Sequence, residues 1–182
     1  MKDYFNAETA QKLGAQLGID GEEYAAWVAP RVEGLEILDR VTVFAQGLRE
    51  RLEGDYVEMV GGVVEKLGPE LAEGEGYFNH AFHLWPVSRF IELYGVDDPE
   101  VSLDAIEALT RVFTGEFAVR PFLDRYPALT MSRVHQWAGS DSHNVRRLAS
   151  EGIRPRLPWA KVYTPFVEDS SPCLLYTSDA AD

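Results

Sequence analysis

Three side chains stand in settings where their type and spacing could do chemistry. Glu151 closes VRRLASEG and lies directly before Gly152, a helix-stop residue, so its carboxylate faces the negative end of a helix dipole. Arg147 stands four residues earlier, the less favourable order for a helical ion pair. A carboxylate set against local preference is a candidate for electrostatic or acid–base work, and the plainer alternative is a surface pair worth a few tenths of a kcal/mol. Glu116 of FTGEFAVRPF falls in the first turn of a helix opened by Thr114, with Arg120 four residues on in the favourable order. An acid at that position also serves simply to complement the helix dipole. Trp159 follows Arg154-Pro155-Arg156-Leu157-Pro158, where two prolines exclude helix and stiffen the chain. Its indole could offer a π-face to a cation. Burial against the next helix, or a PxxP ligand for an SH3-type partner, are the alternatives. His80 and His83 of NHAFH could share a helix face, but no third ligand accompanies them, so no metal site is expected. No phosphate loop, GxGxxG, GxSxG or HExxH string occurs.

The elements that must position these residues read as helices. Asn6 caps a pattern that Gly18 ends; Asp20 opens a second helix carrying Tyr24, Trp27 and Val28. Segment 35–52 repeats Leu35, Leu38, Val41, Phe44, Leu48 and Leu52 at helical spacing, and Asp55 opens the next. Further helices run from Pro86 to Tyr94, from Pro99, over 116–126 with Pro121 kinking or dividing it, from Pro127, and from a Ser142 cap. No run alternates with period two, and no Asn-Gly or Asp-Gly hairpin joins β-rich segments. The expectation is an all-α chain, a bundle or a solenoid. A rhythm of helix pairs at about forty residues favours a HEAT-like helical repeat solenoid.

Composition narrows the function classes. Of 182 residues, 46% are hydrophobic and 12% aromatic, enough for a packed core. A lone cysteine excludes a disulfide framework and a Cys-rich zinc site. No stretch of eighteen apolar residues occurs, and the polar start MKDYFNAETAQKLG lacks a signal-peptide pattern, so a cytoplasmic setting is expected. The net charge of −13 argues against a nucleic-acid partner, but it is uneven. Residues 1–110 hold 8 basic and 22 acidic side chains, whereas 111–172 hold 9 basic and 6 acidic. Arg133, Arg146, Arg147, Arg154, Arg156 and Lys161 crowd one window together with His135 and His143, which suggests a basic face for a phosphate backbone.

The strings WPVSRFIELYG (85–95), LTRVFTGEFAVRPFL (109–123), Trp137 and NVRRLASEGIRPRLPWA (144–160) resemble the AlkC-type DNA alkylation repair glycosylases, relatives of AlkD. The resemblance is clear over roughly half the chain and looser before Trp85. It implies a C-shaped array of HEAT-like repeats with a basic concave face. It also implies a monomer that excises small cationic alkylated bases, chiefly 3-methylcytosine and 3-methyladenine, from double-stranded DNA without base flipping, metal or cofactor. By motif, Glu116 and Glu151 look like active-site carboxylates, Trp159 like the aromatic that packs at the lesion, and Arg147 like the residue that orients Glu151 or meets a phosphate. Arg146, Arg154, Arg156, Lys161, Arg133 and His143 become DNA-contact candidates. Members of that family continue into a YVRRSVAN…LND-like string whose Asp adds a carboxylate, and nothing here matches it. Residues 1–172 are therefore expected to form the N-terminal part of a longer domain. The last ten residues, CLLYTSDAAD, resemble a translated sequencing adapter, which would take Cys173 with it. The alternative function is a non-catalytic helical-repeat module that binds DNA or protein.

Overall fold

Side-chain caps divide the chain into its helices. Asn6 accepts the Thr9 N–H at 3.1 Å and opens α1 (Ala7–Leu17), which ends at a left-handed Gly18. Asp20 accepts the N–H groups of Glu22 and Glu23 and opens α2 (Gly21–Val28). After α3 (Ile37–Arg51), a reciprocal capping box between Asp55 and Glu58 opens α4 (Tyr56–Val64). The short α5 (Tyr77–His80) leads through a 3-10 turn, Phe82–Leu84, into α6 (Trp85–Tyr94). Prolines at first-turn positions start α7 (Pro99–Thr110), α8 (Arg120–Arg125), α9 (Pro127–Ala138) and α11 (Thr164–Glu168). Ser142 caps α10 (His143–Glu151) through the Val145 N–H.

This computed structural model describes residues 1–72, 75–158 and 160–172, and among them every regular element is helical. Trp159 and the adapter-like residues 173–182 lie outside the described residues. Helix α1 packs on α2, α3 on α6, α4 on α7 and α9 on α10, while α7 also meets α9 and α10. Each helix therefore covers a sequence neighbour or a helix of the next layer, as a helical repeat array requires. Phe5, Tyr24, Phe44, Phe90, Phe113, Phe122 and Trp137 are fully buried along its axis. Each ring removed from water contributes roughly 2–3 kcal/mol, so these seams outweigh any surface ion pair. The Tyr24 hydroxyl donates to the Phe44 carbonyl at 2.7 Å, satisfying the one polar atom that ring buries.

One expected helix is shorter than the pattern indicates. Residues 116–119 form turns, and α8 begins only at Arg120. Pro121 lacks an N–H and fits only the first turn, so it starts the helix instead of kinking it. Glu116 therefore stands in the turn ahead of the helix.

Candidate active site

Glu116 is fixed by what surrounds its turn. Gly115 lies so close to α7 that a Cβ there would approach Thr110 Oγ1 at 2.6 Å and Ile106 Cγ2 at 2.7 Å. That close approach requires glycine and presses the turn onto the helix. Thr114 Oγ1 accepts the Glu116 N–H at 3.2 Å, and the Val119 N–H returns to the Gly115 carbonyl at 3.2 Å. The Glu116 residue is only 7% exposed. A second close approach sits at the end of α10: a Cβ on Gly152 would come 2.8 Å from the Leu148 carbonyl and 3.2 Å from Val119 Cγ1. Gly152 keeps right-handed helical angles, so it serves tight packing of α10 on the 115–119 turn. The two glycines thereby bring Glu116 and the C-terminal turn of α10 together.

Between them opens a cleft of about 240 Å³. Tyr77, Phe78, Phe82, Trp85 and Phe117 line it with rings; Glu116, Arg147, Glu151 and Arg154 line it with charge. Trp85 and Phe117 stack at 5.3 Å between centroids with 22° between planes. Phe82 packs on Trp85 at 5.6 Å and on Phe78 at 5.3 Å, and Phe78 in turn lies 4.7 Å from Tyr77. Leu157 and Pro158 complete the lining. Trp159, the next residue, lies outside the described residues.

The ion pairs differ from those the sequence spacing suggests. Arg147 does not pair with Glu151; its Nη2 donates to Glu116 Oε1 and, at 3.2 Å, to the Tyr77 hydroxyl. Its guanidinium also lies 5.1 Å from the Tyr77 ring centroid. Burial would lower the Arg147 pKa, but the Glu116 charge and the Tyr77 hydroxyl outweigh it and hold the group above its ordinary value. Glu151 accepts from Arg154 Nη1 at 2.6 Å, one turn of chain ahead of it. Arg120 does not reach Glu116 either. Its Nη2 donates to the Arg154 carbonyl at 2.5 Å and so ties the 152–156 loop to α8. Glu116 stands in a turn outside α8, which breaks its four-residue relation to Arg120; Arg147 and Glu151 share α10, but each takes a partner from outside it, Glu116 and Arg154.

The basic candidates scatter. Arg133 bonds Asp104 on α7, beside the acidic groove of Glu70 and Glu107. Arg146 donates to the Ser140 and Asp141 carbonyls at 2.7 and 2.9 Å and so closes the turn before α10. Lys161 pairs with Asp124 at 3.1 Å in a second hollow behind Trp85 and Phe117. His143 is the half-buried first residue of α10. Arg156 is exposed and makes no hydrogen bond or ion pair among the described residues. Among the described residues, Arg147 and Arg154 are the basic candidates that line the cleft. His80 is exposed, whereas His83 is buried against Gln16, so the two do not meet. Sequence reasoning missed Tyr77, Phe78, Phe82 and Trp85 as one wall; the signal was their aromatic density over nine positions of YFNHAFHLW.

No family model matches the chain. In structure it superposes on the Pseudomonas fluorescens alkylpurine DNA glycosylase AlkC, bound to DNA containing an abasic site analog, with a TM-score of 0.85 over 98% of its length at 24% identity. The chain has the AlkC fold. It covers 49% of that AlkC chain. It is also 37% identical over 145 residues, 80% of its length, to the uncharacterized protein YhaZ of Bacillus subtilis (strain 168), of which it covers 37%. The chain thus spans about half or less of the proteins it matches. Within this array, the cleft lies between α5, the start of α6, the turn ahead of α8 and the C-terminal end of α10.

Proposed function

We propose that this chain carries the carboxylate-bearing part of a DNA glycosylase that releases small cationic alkylated bases, of the 3-methyladenine and 3-methylcytosine class, from double-stranded DNA. The observation that carries the reading is the cleft itself: two carboxylates face a wall of aromatic rings. A base alkylated on a ring nitrogen holds a positive charge and leaves as a neutral molecule, taking the glycosidic electron pair with it. No strong general acid is needed. The sugar acquires oxocarbenium character, and fixed carboxylates stabilise that charge best where little water screens it. In the proposed step the C1′–N bond breaks, water adds to C1′, and its proton passes to a carboxylate and then to solvent.

Glu116, the more buried acid, faces the developing positive charge, and Glu151 positions the water. The ring wall packs against sugar or base without base flipping, a geometry a shallow open cleft suits. The Trp159 indole belongs to the same reading. Arg147 and Arg154 stay 41% and 54% exposed, so each guanidinium can reach a phosphate from the rim while it pairs with its acid. Arg156, Arg146, Lys161, Arg133 and His143 are assigned to the same backbone, as a monomer working in the cytoplasm on alkylated DNA.

The pairing of both carboxylates with arginine favours a second reading, a non-catalytic module that grips DNA. It predicts salt-sensitive binding with no base release. For the peptide-ligand reading, Pro158 is exposed and Pro155 half-buried, but the segment is no free loop: Leu157 is buried and the Pro155 carbonyl accepts the Tyr163 N–H at 3.0 Å. The deciding experiment measures base release from a methylated duplex. Loss of release in Glu116→Gln and in Glu151→Gln, with duplex binding retained, is the expected result. Normal release in both variants would remove the assignment.

A further inference from the structure

Tyr77 belongs to none of the motifs that carry the resemblance, yet it makes two contacts to the cleft's central cation. Its ring lies 5.1 Å from the Arg147 guanidinium carbon, and its hydroxyl accepts from Nη2 at 3.2 Å. Its own position is set by Phe113, edge-to-face at 5.5 Å, and by Phe78 at 4.7 Å. Phe113 is 2% exposed, so Tyr77 rests on a rigid support.

The use of the guanidinium is one-sided. Among the described residues, Glu116 and Tyr77 both engage Nη2. The N–H groups on Nη1 and Nε make no hydrogen bond among the described residues, on a side chain 41% exposed. An unclamped arginine has four rotatable bonds and about 2 kcal/mol of rotamer entropy, so one buried partner does not fix the plane of its fork. A ring against its face and an oxygen at its edge do.

We propose that Tyr77 is a positioning residue. It clamps Arg147 so that Nη2 holds Glu116 while the remaining N–H groups of the guanidinium stay available to a DNA phosphodiester. Arg147 then bridges backbone and carboxylate, and phosphate engagement sets the aim of Glu116. The role in excision rests on the glycosylase reading; the clamp itself does not.

Two measurements separate these levels. Guanidinium NMR of the full chain reads rotation about the Arg147 Cζ–Nε bond. Distinct Nη1 and Nη2 signals are expected in the unsubstituted protein and in Tyr77→Phe, which keeps the ring. Averaged signals are expected in Tyr77→Leu, with melting temperature as the check that the fold persists. Signals that stay distinct in a folded Tyr77→Leu would overturn the clamp. Single-turnover excision from a methylated duplex then reads the consequence. Tyr77→Leu should slow release by about tenfold, with duplex affinity held within about twofold and Tyr77→Phe recovering most of the rate. Slower release with equally weakened binding, or an unchanged rate, would overturn the positioning role. Absence of release from the unsubstituted protein would instead sink the glycosylase reading and leave the NMR result standing.

Discussion

Glu116 is a buried acid whose partner comes from thirty-one residues away in sequence, Arg147. Leaving such a carboxylate without its cation costs about 1–3 kcal/mol, so Arg147→Ala should lower stability as well as any activity. Thermal unfolding checks that prediction, and an unchanged melting temperature would show the pair to be energetically idle. Glu151, with its side chain 34% exposed and its partner Arg154 more exposed still, should tolerate Arg154→Ala within about 0.5 kcal/mol. Both acids singled out in TGEFAVRPF and VRRLASEG line the same cleft. Their partners were not legible in the sequence. Glu116 sits in a turn, so its spacing of four to Arg120 is not helical; Arg147 and Glu151 do share α10, but tertiary packing brings Glu116 to one and the following loop brings Arg154 to the other.

The elements owe their placement to caps and close approaches. Asn6, Asp20, Asp55 and Ser142 each act as the N-cap that their sequence context indicates. The start of α8 was misplaced by four residues, since a proline read as a kink is in fact a first-turn residue. The short helix and 3-10 turn over 77–84 were not legible either. Their order comes from ring-on-ring packing with Phe113, Phe117 and Trp85, which a local pattern does not carry. Two glycines press the 115–119 turn between α7 and α10, so Gly115→Ala and Gly152→Ala should each destabilise by about 1–3 kcal/mol. Denaturant titration reads this, with the larger effect expected at Gly115, where both Thr110 and Ile106 obstruct a methyl. A neutral result at either site would mean that the turn can move away without loss.

At the level of the whole chain, Gln16 ties α1 to the segment after α4 and to the 3-10 turn ahead of α6. Its amide donates to the Lys66 and Leu67 carbonyls at 3.0 and 3.2 Å, and its Oε1 lies 2.7 Å from His83 Nε2. Burial, helped by the charge of Lys12, pushes the His83 pKa down from 6.5 to about 4. The folded chain thus keeps a neutral ring while the unfolded chain takes a proton near pH 6.5. The stability this contributes is whole above that pH and is lost as pH falls through about 4. His83→Gln should flatten the fall in melting temperature over that interval, and an undiminished fall would place the acid sensitivity elsewhere.

The net charge of −13 describes an acidic scaffold, and it hid a basic stretch that the distribution along the chain reveals. If that stretch meets DNA, Arg156→Ala should weaken duplex binding about equally across sequences and reduce the salt slope by about 1. The cleft's chemistry is open to a sharper comparison: base release from matched duplexes, one carrying cationic 3-methyladenine and one carrying a neutral lesion such as uracil. Fixed carboxylates facing the oxocarbenium that forms as a cationic base leaves in neutral form predict release of the methylated base alone. That release should fall by about 10²-fold or more in Glu116→Gln while duplex affinity holds. Equal release of the neutral base, or full release by Glu116→Gln, would contradict the assignment of this cleft.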